Sequence, residues 1–224
     1  MLQGRTLWEL LEKRVAATPD ALMAVDEDMR TMTFAEYRAE AERAAAGFAA
    51  QGVQAGDVVS WQLPTWMESL VLVGALSRLG AVQNPMLPIY REREVGFITN
   101  QAQAKLLVVP SVWKNFDFQA MGTEISKANG GTMAVLVADK ALPQGDPSTL
   151  PPLPDPAEDP VRWLFYTSGT TADPKGAQHT DGTIAAVALG MAERLALVPE
   201  DRNALIFPFT HIGGITWLFS SLQS

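Results

Sequence analysis

The chain has 224 residues, 47% of them hydrophobic and 19% charged, enough apolar material for one large or two small domains with a buried core. Without cysteine it holds no disulfide, thiolate metal site or cysteine nucleophile, and it fits a reducing, cytoplasmic setting. A formal net charge of -8 argues against binding nucleic acid through a basic face, but not against a nucleotide ligand, because a local cluster of donors and one lysine can hold phosphates in an acidic protein.

The N-terminus, MLQGRTLWELLEKR, reaches charge too early for a signal peptide. Three segments then open alike, with a threonine followed by a glutamate three residues on: Thr6/Glu9, Thr33/Glu36 and Thr65/Glu68. In each, the hydroxyl can cap a free N–H of a first helical turn while the glutamate reaches back. Leu7, Leu10, Leu11 and Val15 give the first helix an apolar stripe. Phe34, Tyr37, Ala41, Ala45 and Phe48 do so for the second, which stops near Gly52. The third, from Trp66 to about Leu79, is apolar on most faces and is expected to be buried. The longest apolar run, SLVLVGALSRLGAV, is broken by Arg78 and is too short to span a bilayer. The charge run REREVGF reads as a solvated helix face.

DVVSWQL, AKLLVVP and TMAVLVA read as strands whose unalternating apolar character suits a parallel sheet covered on both faces. Helices alternating with such strands predict an α/β fold, a layered and mostly parallel sheet flanked by helices. Residues 142–160, LPQGDPSTLPPLPDPAEDP, form a proline-rich extended connector between a first α/β portion (1–141) and a second portion (161–224). In the latter, VRWLFY reads as a strand, GTIAAVALGMAERLAL as a helix with Thr180 or Asp181 as its cap, and RNALIFPF as a further strand. GGITWLFSSLQS opens an apolar helix with no closing cap. The expectation is a chain whose parent continues, since such a helix left alone exposes a patch that needs a partner. The sequence leaves oligomerisation open.

YTSGTTADPKG, residues 166–176, lies after a predicted strand and before a predicted helix, where open α/β sheets bind ligands. Thr167, Ser168, Thr170 and Thr171 offer hydroxyls, Gly169 allows close backbone approach, and Lys175 adds a charge. The stretch is not a Walker A loop, because glycine rather than a hydroxyl residue follows the lysine. From composition alone it is balanced between a solvated turn and an anion cradle. Two histidines follow. His179 reads as a polar residue near a helix start. His211, in FPFTHIGGI, follows a predicted strand and precedes Gly213 and Gly214, which allow a ligand close to the backbone.

YTSGTTADPKG closely resembles the signature of the adenylate-forming superfamily, which includes acyl-CoA synthetases, aryl-CoA ligases, luciferases and peptide-synthetase adenylation domains. Its family pattern is [YF]-T-S-G-[ST]-T-G-x-P-K-G, and every fixed position matches except Ala172, where the family has glycine. If that position needs positive φ, alanine adds strain of about 1 kcal/mol. TFAEYRAEAERAAAGFAAQGVQAGDVVSWQLP and GALSRLGAVQNPMLPIYREREVGFI resemble further family blocks.

The resemblance implies that Thr167, Ser168, Gly169, Thr170, Thr171 and Lys175 contact the β- and γ-phosphates of ATP, with Thr170 toward Mg2+. It implies that His211 lies beside the acyl carboxylate, with Gly213, Gly214 and Trp217 lining the acid site, and that His211 and Lys175 serve catalysis. The implied reaction joins a small carboxylic acid to CoA through an acyl-adenylate. PFTHIGGITW offers no aspartate for an α-ammonium, so a plain acid is expected, and the apolar HIGGITWLF tilts it toward a medium-chain or alicyclic one. An aryl-acid or luciferase-like enzyme and a non-catalytic nucleotide-binding module are the alternatives. The family's adenine, ribose and Mg2+ segments and its mobile C-terminal domain are expected beyond residue 224, so the chain by itself is expected to show no ligase turnover.

Overall fold

The computed structural model describes residues 1–155, 158–167 and 174–224. In chain order its elements are α1 (Leu7–Ala17), β1 (Leu22–Val25), β2 (Thr31–Thr33), α2 (Phe34–Ala50), β3 (Val58–Trp61), α3 (Met67–Leu79), β4 (Val82–Pro85), α4 (Glu92–Gln101) and β5 (Leu106–Val109). There follow β6 (Val112–Trp113), β7 (Phe116–Asp117), α5 (Phe118–Ala128), β8 (Ala134–Val137), a 3-10 turn at Pro147–Thr149, β9 (Val161–Thr167), β10 (Lys175–Thr180), α6 (Asp181–Leu195) and α7 (Ile212–Gln223).

The main sheet has the order β10-β9-β4-β3-β5-β8. All its neighbours pair in parallel except β10, which runs antiparallel to β9 at the edge. Helices cover both faces, because a parallel sheet alternates its buried side chains between two cores. In β5, Leu106 and Val108 join the larger core with α1, α2, α3, α6 and α7, while Leu107 and Val109 join the smaller one with α4 and α5. The mostly parallel α/β layering is the one the alternating runs predict.

The predicted stripes of α1 and α2 are the faces that pack. Thr33 and Glu36 form the reciprocal capping box. At α1 the Thr6 hydroxyl caps Glu9 N–H, but Glu9 reaches one residue further back, to Arg5 N–H. The third expected box does not form. Trp66 is the N-cap residue of α3 and makes no side-chain cap, Thr65 Oγ1 accepts from Phe209 N–H, and Glu68 pairs with Arg30. Tertiary partners outcompete the local cap at that site.

Three further expectations are corrected. β9 leads into a hairpin partner, β10, not directly into a helix; a connection as short as residues 168–174 can join antiparallel neighbours but not parallel ones. RNALIFPF is not a strand: residues 202–209 pair with no strand among the described residues, Ile206 and Phe207 are 83% and 52% exposed, and Pro208 lacks an N–H. The charge run of α4 is not wholly solvated, since the Arg91 guanidinium lies 4.0 Å over the Phe116 ring.

Nor does α7 lie open. It packs on α1 and α6, with Ile215, Leu218, Phe219 and Leu222 buried. Two of its last carbonyls are met by the N-terminal region: Arg14 Nε donates to Leu222 O at 3.0 Å and Leu2 N–H to Gln223 O at 2.7 Å. Residues 142–155 of the proline-rich stretch, which include the 3-10 turn at Pro147–Thr149, are docked on the first portion. Gly145 N–H donates to Arg43 O, and Arg78 donates to Pro151 O.

Candidate functional site

The parallel strands end together at Trp61, Pro85, Val109, Val137 and Thr167, and two groups of predicted site residues meet this carboxyl edge. The first is the mouth of the β9–β10 hairpin. Thr167 and Lys175 are register partners, and the Thr167 hydroxyl lies 3.5 Å from Lys175 O. Both side chains are exposed. Ser168, Gly169, Thr170, Thr171 and Ala172 lie outside the described residues, and the hairpin joins their two ends. Beneath the mouth, Gly176 packs on the Tyr166 ring; a Cβ there would stand 2.9 Å from Tyr166 Cζ, so the position takes glycine for space. Burial raises the Tyr166 phenol above its ordinary value. Tyr90 Oη contacts Tyr166 O at 3.4 Å, tying the segment after β4 to the hairpin.

The second group is the turn into α7. Phe209 is 1% exposed and its ring lies 6.0 Å from Trp61, the last residue of β3. His211 N–H donates to Pro208 O at 2.9 Å, closing the turn, and His211 is then the N-cap of α7. Its Nδ1 accepts from Gly213 N–H at 3.0 Å. A ring nitrogen that accepts carries no proton, so the neutral ring keeps its hydrogen on Nε2, and the exposed imidazole presents a donor. That donor suits a carboxylate or developing negative charge.

A Cβ on Gly213 would stand 3.2 Å from His211 Nδ1. One on Gly214 would stand 2.8 Å from Phe209 Cα, so the chain's own backbone fills the space beside Gly214. Along α7, Gly213, Trp217 and Ser221 recur every fourth residue as a less buried stripe. β4 lies between β3 and β9, so the His211 turn and the hairpin mouth sit on one sheet edge, where open α/β sheets bind ligands.

His179 has a different setting. It lies on β10 with its ring edge-on to Phe165, centroids 5.9 Å apart. Two residues read only as local caps prove to be tertiary anchors. Asp181, 4% exposed, accepts from Trp163 Nε1 at 2.7 Å and Leu7 N–H at 3.0 Å. Thr65 holds Phe209. A threonine or aspartate at a helix start looks the same in sequence whether it caps locally or reaches across the fold.

These features define an AMP-binding enzyme domain, and the chain belongs to that family: the model of the AMP-binding enzymes matches residues 11–224. The chain is 33% identical over 214 residues to the 2-succinylbenzoate–CoA ligase of Geobacillus kaustophilus, covering 94% of this chain and 40% of that protein. It is 26% identical over 219 residues to the medium-chain fatty-acid–CoA ligase of Escherichia coli, covering 93% of this chain and 39% of the relative. Among solved structures, the o-succinylbenzoate coenzyme A synthetase of Bacillus subtilis in complex with ATP and magnesium ion matches with a TM-score of 0.77 at 25% identity, over 95% of this chain and 54% of that one. The chain thus spans well under two thirds of the length of the relatives it matches.

Proposed function

We propose that the whole protein activates a carboxylic acid with ATP and passes the acyl group to CoA. In this reading an acid oxygen attacks the α-phosphorus, the bond to the β-phosphate breaks, and pyrophosphate leaves. The CoA sulfur then attacks the acyl carbon, AMP leaves, and the thiol proton goes to solvent. The observation that carries the reading is the shared carboxyl edge: the hairpin mouth, with Thr167 and Lys175 opposed, stands beside the turn that aims His211 Nε2 outward.

Lys175 and the motif hydroxyls at Thr167, Ser168, Thr170 and Thr171 fit a polyphosphate, supplying one positive charge and several donors without the cost of a buried cation. Thr170 is the motif hydroxyl that would hold Mg2+, which when bound would supply charge neutralisation at the leaving group. His211 Nε2–H donates to the acid's carboxylate and holds it in line with the phosphorus, and Gly213, Gly214 and Trp217 shape the acid's end of the site. Residues 208–217 contain no carboxylate, so a substrate ammonium would go unpaired there; this favours a plain acid. The names of the relatives support CoA as acceptor and both aliphatic and aryl acids as candidates.

The test is AMP formation by the full-length protein on a panel of aliphatic, alicyclic and aryl acids, with and without CoA. Acid- and CoA-dependent AMP release is expected, with His211→Ala lowering kcat/KM for the acid by about 100-fold. Lys175→Ala is expected to act mainly on ATP. Binding of ATP or pyrophosphate with no acid-dependent AMP release would favour a non-catalytic nucleotide-binding module.

A further inference from the structure

Thr65 sits in the loop after β3 and, by sequence, has the place of a helix cap. Its hydroxyl instead accepts the N–H of Phe209, 3.1 Å away and 144 residues on in sequence. That amide lies two residues before His211, within the turn closed by Pro208 O and His211 N–H. Two apolar constraints act on the same turn: the Phe209 ring against Trp61 and the Phe209 backbone against Gly214. Among the described residues, the other polar side-chain groups nearby, Trp61 Nε1 and Thr210 Oγ1, are buried without a hydrogen-bond partner. Among the described residues, Thr65 Oγ1 is thus the polar side-chain contact that links this turn to the segment after β3. α3 begins at Met67 without a side-chain cap, so the hydroxyl is withheld from its local use.

We propose that Thr65 is a positioning residue for His211: by holding the Phe209 amide it sets where the imidazole Nε2 stands over the sheet edge. The inference rests on the acid-activating reading for its catalytic consequence, but not for its structural one. Thr65 is exposed, so Thr65→Val removes the acceptor without opening a core cavity, while Thr65→Ser keeps it.

The experiment uses the full-length protein and two readouts. Amide hydrogen exchange of the 208–214 segment is expected to speed by about 10-fold in Thr65→Val and to stay within about 2-fold in Thr65→Ser, the size of one lost hydrogen bond. With an acid substrate, Thr65→Val is expected to lower kcat/KM for the acid about 10-fold, with KM for ATP unchanged. In a His211→Ala background the same substitution should have little further effect. Unchanged exchange in Thr65→Val, or an activity loss that adds fully to that of His211→Ala, would overturn the proposal. Faster exchange in a protein with no acid-dependent AMP release would support the positioning role while counting against the acid-activating reading.

Discussion

Single side chains in this chain carry more than their sequence neighbourhood indicates. Asp181 opens α6, yet its carboxylate is shared between Trp163 of β9 and the first N–H of α1. Burial holds the carboxyl above its ordinary range, against the pull of those two hydrogen bonds. Between the unfolded and the higher folded value, the folded chain binds more protons than the unfolded one. The stability this group contributes is then full below the unfolded value and is lost as pH rises through the folded value. Asp181→Asn removes the titration and sets an amide donor against one of the two N–H groups. Wild type's advantage over the variant in urea unfolding is expected to widen as pH falls through that window. A difference independent of pH would show that the carboxyl does not titrate there.

At the scale of elements, the helix ends are where local chemistry and packing meet. α6 ends on Ala196 at φ +52°, a left-handed conformation that penalises any side chain, with Ala196 N–H and Leu197 N–H closing on the last turn. Ala196→Gly is expected to raise stability by about 1 kcal/mol, read as a higher denaturant midpoint at unchanged slope. α7 begins with the opposite constraint. Gly214→Ala brings a Cβ to 2.8 Å from the Phe209 Cα, a backbone atom that cannot swing aside. It is expected to destabilise by about 1–3 kcal/mol despite alanine's better helix propensity and, under the proposed acid-activating function, to lower acid-dependent AMP release by moving His211. Equal stability of Gly214→Ala and wild type would mean that the turn yields easily.

At the scale of the whole molecule, the two portions flanking the connector share one sheet, since β9 pairs with β4, and one core, since Trp163 and Phe219 pack with Leu72 and Trp61. Leu72→Ala, at a fully buried position of that core, is expected to cost about 2–5 kcal/mol in a single cooperative transition reported equally by tryptophan fluorescence and circular dichroism. The connector is held by close backbone packing: a Cβ on Gly47 would stand 2.5 Å from the Pro143 carbonyl carbon. We read residues 142–155 as part of a strap between the portions. Gly47→Ala is then expected to loosen it, with faster proteolytic cleavage within 142–155 and little loss of helix content.

Elements that bury a face by their own composition were legible in the sequence: α1 and α2 by stripe and cap, β3, β5 and β8 by unbroken apolar runs. β4 was not, because its central residues, Gln83 and Asn84, are polar and are buried only through bonds to Val73 O and Ser60 Oγ. β10 is exposed along most of its length and is a strand only because β9 supplies a ladder.

The sequence by itself determined the layered α/β class, the caps that bind near neighbours, and the motif that marks the family, since each depends on spacing within a few turns of chain. Only the tertiary structure decided that β10 pairs back on β9, that RNALIFPF forms no strand, that α7 is sealed by the N-terminal residues, and that Thr65 and Asp181 serve partners 144 and 174 residues away. The physical reason is the same in each case. A hydroxyl, carboxylate or backbone amide takes whichever partner the fold brings within hydrogen-bond reach, and a linear sequence does not state that distance.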